Sequence, residues 1–182
     1  MFEFFHDADM MVLDSIHNTF SNGFMDGFMT FMSRAGMIIF LCALCLIFLA
    51  VKKWRRYGFC LMGTIMFSAL LCEVIIKPLF LRERPYSELT DNTIYFVESL
   101  GSSFPSTHTC LVVSASAVAF AADRKIGACA SVIAALIAFS RLYLYAHFFT
   151  DVCTGMLLGL AIAFISLFTT DAIVKKVSKK NK

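Results

Sequence analysis

The feature that most constrains this chain is a series of apolar runs long enough to cross a lipid bilayer, separated by short polar turns. A transmembrane α-helix needs about 20 predominantly apolar residues. Of the 182 residues, 59% are hydrophobic and only 16% are charged, which excludes an ordinary soluble domain. The sequence therefore predicts an all-α protein, a polytopic membrane-embedded helical bundle with about five transmembrane helices.

The apolar runs divide the chain into predicted segments. Residues 1–182 form a single domain, with an N-terminal segment at 1–34, a transmembrane core at 35–173 and a basic tail at 174–182. The connection at 81–104 contains proline, asparagine and glycine and is predicted to be a loop. The predicted spans are residues 35–51, 57–80, 106–122, 126–146 and 151–170.

The N-terminal segment has a different character from the spans. Residues 9–22 place apolar side chains at helical spacing with polar ones between them. Three aspartates in the first fourteen residues make a full span too costly. We therefore expect an amphipathic helix that lies on the membrane surface.

Basic residues indicate the orientation, because lysine and arginine are enriched in cytoplasmic loops. Eleven of the sixteen occupy alternate turns and the C-terminal tail, which predicts a cytoplasmic C-terminus. A tail at an anionic membrane surface explains these charges without a nucleic-acid partner. The eleven are Lys52, Lys53, Arg55, Arg56, Arg124, Lys125, Lys175, Lys176, Lys179, Lys180 and Lys182.

Six other ionisable residues are predicted at the opposite ends of the spans. Ionisable groups near hydrocarbon lose hydration, so their presence there usually indicates function. Three separate stretches contribute them, yet the predicted topology brings all three to one depth on the non-cytoplasmic side. The residues are Lys77, Arg84, His108, Arg141, His147 and Asp151.

This set of side chains has the chemistry for phosphoryl transfer. His147 is a candidate nucleophile, and Asp151, four residues later, would lie on the same helical face and fix the imidazole tautomer. His108 is a candidate acid for the leaving oxygen and a base for water. The alternative is an ion pair with a purely structural role.

Cations and a helix start offer a site for phosphate. Lys77, Arg84 and Arg141 supply positive charge. Ser106 and Thr107, at the start of the third span, would present free backbone N–H groups. Each residue also has a structural reading. Lys77 would pair with Glu73 one turn earlier, Ser106 would only cap the helix, and Arg82 and Glu83 are interpreted as ordinary interfacial charges.

Small residues on the fifth span, Gly155, Gly159 and Ala163, recur every four positions and predict a helix-packing face. The seven cysteines all lie in or beside apolar segments, and we expect no disulfide among them.

The combined stretches resemble the three-part signature of the type-2 phosphatidic acid phosphatase superfamily. The elements are Lys77 with Arg84-Pro85, then residues 105–108 (Pro-Ser-Thr-His), and Ser140-Arg141 with His147 and Asp151. The resemblance extends from about Tyr57 through the fifth span. Thr107 stands where the family usually has glycine, a position expected to offer mainly its backbone N–H.

The resemblance implies a metal-independent phosphatase without a cofactor. Its substrate would be a membrane lipid, and the protein would be embedded in the lipid bilayer. The chain looks most like the bacterial undecaprenyl pyrophosphatases, which would place it in a bacterial plasma membrane with its site at the outer face. Phosphatidate or phosphatidylglycerol phosphate remain alternative substrates, and a lipid phosphotransferase or a non-catalytic lipid carrier or channel are alternative functions. A metalloenzyme is a weaker variant, because the neighbouring cations would repel a metal ion.

Overall fold

The structure is a computed structural model that describes residues 3–89 and 101–180. All regular secondary structure in these two ranges is helical. Two π-helical turns, Met32–Gly36 and Leu70–Ile76, join successive helices. The α-helices of the described ranges are α1 (Glu3–Phe20), α2 (Gly23–Phe31), α3 (Met37–Ala50), α4 (Arg55–Ala69), α5 (Lys77–Phe80), α6 (Thr107–Ala122), α7 (Arg124–Tyr143) and α8 (Phe149–Lys180).

The predicted membrane bundle is confirmed. Four helical stretches of the described chain are long and apolar enough to cross a bilayer, and α6 is an apolar helix of 16 residues that matches the predicted third span. Ser106 caps α6 at its start and Asp123 follows its end, so both predicted boundaries are correct. The four long stretches are Gly23–Ala50, Lys52–Glu88, Arg124–Tyr143 and Phe149–Lys179.

Several predicted boundaries differ from the structure. The first span begins at Gly23, so the predicted N-terminal segment 1–34 is divided between α1 and the start of this span. Helix α7 ends at Tyr143, before the predicted residue 146. Helix α8 begins at Phe149 and stays helical to Lys180, so most of the predicted tail 174–182 continues the last span. Part of the predicted loop, residues 90–100, lies outside the described residues.

Helix α6 is central to the bundle and packs against α4, α7 and α8. The contact with α8 depends on small residues. A Cβ atom on Gly155 would lie 2.6 Å from the carbonyl oxygen of Ser106, and one on Gly159 would lie 2.7 Å from that of Cys110. Ala163 on the same ridge is buried. The predicted packing face is confirmed, and it joins the starts of α6 and α8.

Helix α1 packs against α7 and α8 at the end of the bundle where these two helices meet. Leu13 is fully buried in this contact, whereas Phe4 and Met11 are exposed. Asp9 is only 2% exposed. The sequence predicted an amphipathic helix on the membrane surface, whereas Asp9 is buried against the rest of the bundle. Its spacing gives the reason: Asp9 lies four residues before Leu13 and shares its helical face.

Candidate active site

The first and second signature stretches are joined by hydrogen bonds. The backbone N–H of Ser103 donates to the carbonyl oxygen of Arg82 at 2.8 Å, and the N–H of Arg82 donates to the Ser102 hydroxyl at 3.0 Å. The chain after α5 and the chain before α6 therefore run side by side. This pairing brings Arg84 and the start of α6 to one place.

His147 lies in the connection between α7 and α8, not on a helix. Tyr145 adopts a left-handed backbone conformation with φ of 50°, which ends the helical path. The N–H groups of Ala146 and His147 both donate to the carbonyl oxygen of Arg141, at 3.0 and 3.2 Å. The prediction that His147 and Asp151 share a helical face is wrong, although the tight turn still brings them together.

The imidazole of His147 is held by a backbone carbonyl. Its Nδ1 lies 2.6 Å from the oxygen of Ser103. Because a carbonyl oxygen only accepts hydrogen bonds, Nδ1 carries the proton and Nε2 is the unprotonated nitrogen. Asp151 was expected to fix this tautomer, but its Oδ2 lies 3.7 Å from Nδ1 and accepts instead from the N–H of Phe148 at 3.0 Å. Asp151 is therefore placed to influence the imidazole through its charge instead of a hydrogen bond.

The surroundings of His147 keep it neutral. Burial of the imidazole and nearby positive charges, chiefly Arg141 and Arg84, hold the pKa of His147 well below its ordinary value. The imidazole is therefore unprotonated at Nε2 at neutral pH, as a nucleophilic nitrogen must be.

Arg84 is placed directly against this nitrogen. Its Nη1 lies 3.4 Å from His147 Nε2 and donates to the carbonyl oxygen of Ala146 at 2.9 Å. Its other nitrogens donate to the carbonyl oxygens of Gly101 and Ser102, both at 3.2 Å. Backbone oxygens thus fix the direction of the guanidinium without neutralising its charge. An anion in front of Nε2 would meet this positive group.

Arg141 is a second buried cation of the site. It lies on the last turn of α7, is 1% exposed, and donates to the hydroxyl of Ser33 in the π-helical turn between α2 and α3. The first membrane-spanning stretch thereby contributes to the site, which the sequence did not indicate.

The start of α6 brings His108 to the same place. The Ser106 hydroxyl accepts from the N–H of Thr109, so Ser106 is the N-cap that the structural reading predicted. The N–H of Ser106 donates to the carbonyl oxygen of Asp151 at 3.2 Å. His108, two residues later, lies within electrostatic range of four of the proposed site residues. These are Arg141, His147, Lys77 and Arg84.

Glu73 connects two of the candidate phosphate-binding residues. Its Oε1 accepts from Lys77 Nζ at 2.5 Å and from the Thr107 hydroxyl at 2.6 Å. The sequence predicted the pairing with Lys77 as a structural alternative. The bond from Thr107 was not predicted, and it gives the residue that replaces the usual glycine a side-chain contact as well as a backbone one.

Arg82 is the clearest correction to the predicted site. It was interpreted as an ordinary interfacial charge, but it is 7% exposed and bridges two carboxylates. Its Nη1 donates to Asp151 Oδ1 at 2.5 Å, and its Nη2 donates to Asp9 Oδ2 at 2.8 Å. The signal that sequence reasoning missed was Asp9, which shares the buried face of α1 with Leu13.

The signature stretches are thus assembled around His147 within one end of a membrane bundle. A family profile described as the PAP2 superfamily matches residues 57–174. The chain belongs to the PAP2 superfamily. The family predicted from the signature stretches is therefore confirmed, and this PAP2 protein is a membrane-embedded hydrolase that acts on phosphate esters of lipids.

Three curated proteins show the range of activities among relatives of this PAP2 phosphatase. It is 27% identical to a lipid A 4'-phosphatase of Porphyromonas gingivalis over 76% of its length, but spans only 63% of that protein. It is 27% identical to an undecaprenyl-diphosphatase of Sulfolobus acidocaldarius over 85% of its length and 76% of the relative. It is 23% identical to undecaprenyl-diphosphatase BcrC of Bacillus subtilis over 93% of its length and 95% of the relative.

Two solved structures share the fold of this PAP2 phosphatase. The first is a transmembrane PAP2-type phosphatidylglycerolphosphate phosphatase of Bacillus subtilis, with a TM-score of 0.74 and 22% identity over 92% of this chain and 87% of that one. The second is LpxE of Aquifex aeolicus, with a TM-score of 0.74 and 26% identity over 87% of this chain and 93% of that one. The helical architecture is therefore that of membrane PAP2 phosphatases.

Proposed function

We propose that this PAP2 protein removes the terminal phosphate of an outer-leaflet lipid through a phosphohistidine intermediate, and that undecaprenyl pyrophosphate is its main substrate. The observation that carries the mechanism is the position of His147. Its Nδ1 donates to the carbonyl oxygen of Ser103, and its unprotonated Nε2 lies 3.4 Å from Nη1 of Arg84. A nucleophile and a phosphate-binding cation thus occupy the same place.

In the first step, Nε2 of His147 forms a bond to the terminal phosphorus, and the bond from phosphorus to the bridging oxygen breaks. The leaving oxygen belongs to undecaprenyl phosphate and takes a proton from His108. The phosphorylated imidazole becomes positively charged, and the carboxylate of Asp151 at 3.7 Å favours that state.

In the second step, His108 takes a proton from water, and the resulting hydroxide attacks the phosphohistidine. The nitrogen–phosphorus bond breaks, orthophosphate leaves and His147 returns to its neutral form. Arg84, Arg141 and Lys77 stabilise the extra negative charge on the equatorial oxygens in both steps. The backbone N–H of Thr107 at the start of α6 is proposed to contribute to this stabilisation. The N–H of Ser106, which the sequence predicted to be free, already donates to the carbonyl oxygen of Asp151, so Ser106 contributes as the N-cap of α6.

The substrate assignment has support from the comparisons and the predicted orientation. Two of the relatives are named undecaprenyl-diphosphatases, and the alignment with one of them covers 93% of this chain and 95% of that protein. The charge distribution predicts a site at the non-cytoplasmic face, where the phosphates of outer-leaflet lipids are exposed. Phosphatidate is expected to react more slowly. A lipid phosphotransferase is the second candidate, because a phosphohistidine can also be attacked by an alcohol.

The mechanism is tested by trapping the phosphoenzyme. With a radiolabelled terminal phosphate, the parent protein should form an acid-labile phosphoenzyme. His147→Ala should lose the phosphoenzyme and lower kcat by about a thousandfold or more, because one nitrogen forms the intermediate. His108→Ala should keep some labelling when the leaving group is good. Cys129→Ala, at an exposed position near the start of α7, is the control and should behave as the parent. Turnover in folded His147→Ala would disprove the mechanism.

The substrate is tested with purified protein and a panel of phospholipids, lipid A and undecaprenyl pyrophosphate. We expect kcat/KM for undecaprenyl pyrophosphate to exceed that for phosphatidate by about tenfold or more. A higher value for another lipid would overturn the substrate assignment and leave the phosphatase class intact. Radiolabelled phosphate appearing on an acceptor lipid instead of in orthophosphate would identify a transferase.

Metal dependence separates the phosphohistidine mechanism from a metalloenzyme. Activity should survive EDTA, because the proposed charge stabilisation comes from Lys77, Arg84 and Arg141. Vanadate should inhibit by imitating five-coordinate phosphorus. Activity that is lost in EDTA and returns only with a divalent ion would contradict the proposal.

A further inference from the structure

A buried ionic group connects the N-terminal helix to the candidate active site. Arg82 lies between Asp9 of α1 and Asp151 of α8, with hydrogen bonds of 2.8 and 2.5 Å to their carboxylates. Its guanidinium also lies 3.9 Å from the centre of the Phe148 ring. These contacts join α1, the stretch after α5 and the start of α8. The proposed reaction gives no role to Arg82 or to α1.

Thr150 completes the connection. Its hydroxyl accepts from Arg82 Nη1 at 2.8 Å and donates to Asp9 Oδ2 at 2.6 Å. Its backbone N–H donates to Asp9 Oδ1 at 2.9 Å. Asp9 therefore supplies an acceptor at the first turn of α8, the turn that carries Asp151. Helix α1 is therefore hydrogen-bonded to the first turn of α8, directly after the connection that contains His147.

The charges of the Asp9–Arg82–Asp151 group favour an ionised Asp151 beside His147. Asp151 is completely buried, and a buried carboxylate needs a cationic partner to stay ionised. Arg82 is that partner. Asp9 offers the same guanidinium a second carboxylate, so Arg82 does not neutralise Asp151 alone. One positive and two negative charges give the Asp9–Arg82–Asp151 group a net negative charge. Its member Asp151 lies 3.7 Å from the imidazole, where positive charge develops when His147 is phosphorylated.

We infer that Arg82 and Asp9 are positioning residues that hold Asp151 ionised and oriented against His147, and that α1 is therefore a part of the catalytic apparatus. This inference rests on the proposed function of His147 as nucleophile. Helix α1 would then support catalysis in addition to lying on the membrane surface, the role that the sequence predicted for it.

The test uses the full-length protein in lipid vesicles. Asp9→Asn and Arg82→Gln should lower kcat and the rate of phosphoenzyme formation by about tenfold or more, with KM changed by less than about threefold, because only the transition state needs the oriented charge. Thr150→Val keeps the shape and all charges and should fold. It should lower kcat by a smaller factor, since it removes only the hydroxyl contacts with Arg82 and Asp9.

Asp14→Asn is the matched control on the same helix. Asp14 accepts a hydrogen bond from the Tyr145 hydroxyl at 2.8 Å, so it also fastens α1 to the α7–α8 connection, but without touching Arg82 or Asp151. Its kcat should stay within about twofold of the parent. Equal losses of kcat in Asp14→Asn and Asp9→Asn would show that α1 only supports the fold, and would overturn the inference.

Two further outcomes separate this inference from the proposed function. A parent that forms a His147-dependent phosphoenzyme, with unchanged kcat in folded Asp9→Asn, Arg82→Gln and Thr150→Val, would disprove the positioning role alone. Turnover in folded His147→Ala would disprove the proposed function and the positioning role with it.

Discussion

Glu73 hydrogen-bonds to two candidate phosphate-binding side chains. It pairs with Lys77 and accepts from the Thr107 hydroxyl, and its side chain is 47% exposed, so water and an incoming anion can both reach it. A phosphate that binds Lys77 must compete with this carboxylate. We therefore expect Glu73 to lower the affinity of the site for anions while it keeps Lys77 in position.

Glu73→Gln tests this competition. The variant should bind vanadate about two- to fivefold more tightly, because a partly exposed ion pair contributes up to about 1 kcal/mol after solvent screening. The measurement is the inhibition constant of vanadate. Glu83→Gln removes the same charge from an exposed side chain in the stretch after α5 and should leave the constant unaltered. Weaker vanadate inhibition in Glu73→Gln would mean that Glu73 supports anion binding instead.

Helix α8 places Asp151 by its contact with α6. The carbonyl oxygens of Ser106 and Cys110 approach Gly155 and Gly159 too closely for any side chain. Ser106, which contacts Gly155 through its carbonyl oxygen, also donates its N–H to the carbonyl oxygen of Asp151. The packing of two helices therefore sets the distance between the second and third signature stretches.

Gly155→Ala and Gly159→Ala should separate stability from activity. Each adds a methyl group where the backbone must move, so each should lower the free energy of unfolding by about 1–3 kcal/mol. Gly155→Ala should also reduce kcat, because it displaces Ser106 from Asp151, whereas Gly159→Ala acts one turn further from the site. Gly63→Ala on α4, with open space around it, is the control. Thermal unfolding and kcat, both in detergent, provide the measurements. Equal kcat in the two α8 variants would contradict this account.

The same elements show what the sequence made predictable. The predicted third span, residues 106–122, matches α6 with Ser106 as its N-cap, and the glycine spacing on α8 identified its packing face. The end of α7 was missed, because apolar residues continue past Tyr143 and no local signal announces the left-handed Tyr145. The hydrogen bond from His147 to the carbonyl oxygen of Ser103 could not be predicted either, because every residue has a backbone carbonyl and the sequence does not indicate which one is the partner.

Over the whole molecule, charge is divided between the two ends of the bundle. The candidate site gathers its cations at one end. At the other, Arg56 of α4 pairs with Asp171 of α8 at 3.6 Å, close to the basic turns and the end of α8. The helix directions that the sequence predicted bring these groups to opposite ends. The Asp9–Arg82–Asp151 group was not predictable, because its members are far apart in sequence and only packing unites them.

The orientation in the membrane is the last prediction. Basic turns favour the cytoplasm, so the end with the candidate site should face outward. Ser87, just after Arg84, and Lys179, near the end of α8, are both exposed and mark the two ends. In a background without the seven native cysteines, Ser87→Cys should react with an impermeant maleimide in intact cells. Lys179→Cys should react only after permeabilisation, which also shows that this site is chemically accessible. Labelling of Lys179→Cys but not Ser87→Cys in intact cells would reverse the orientation, and with it the argument for an outer-leaflet substrate.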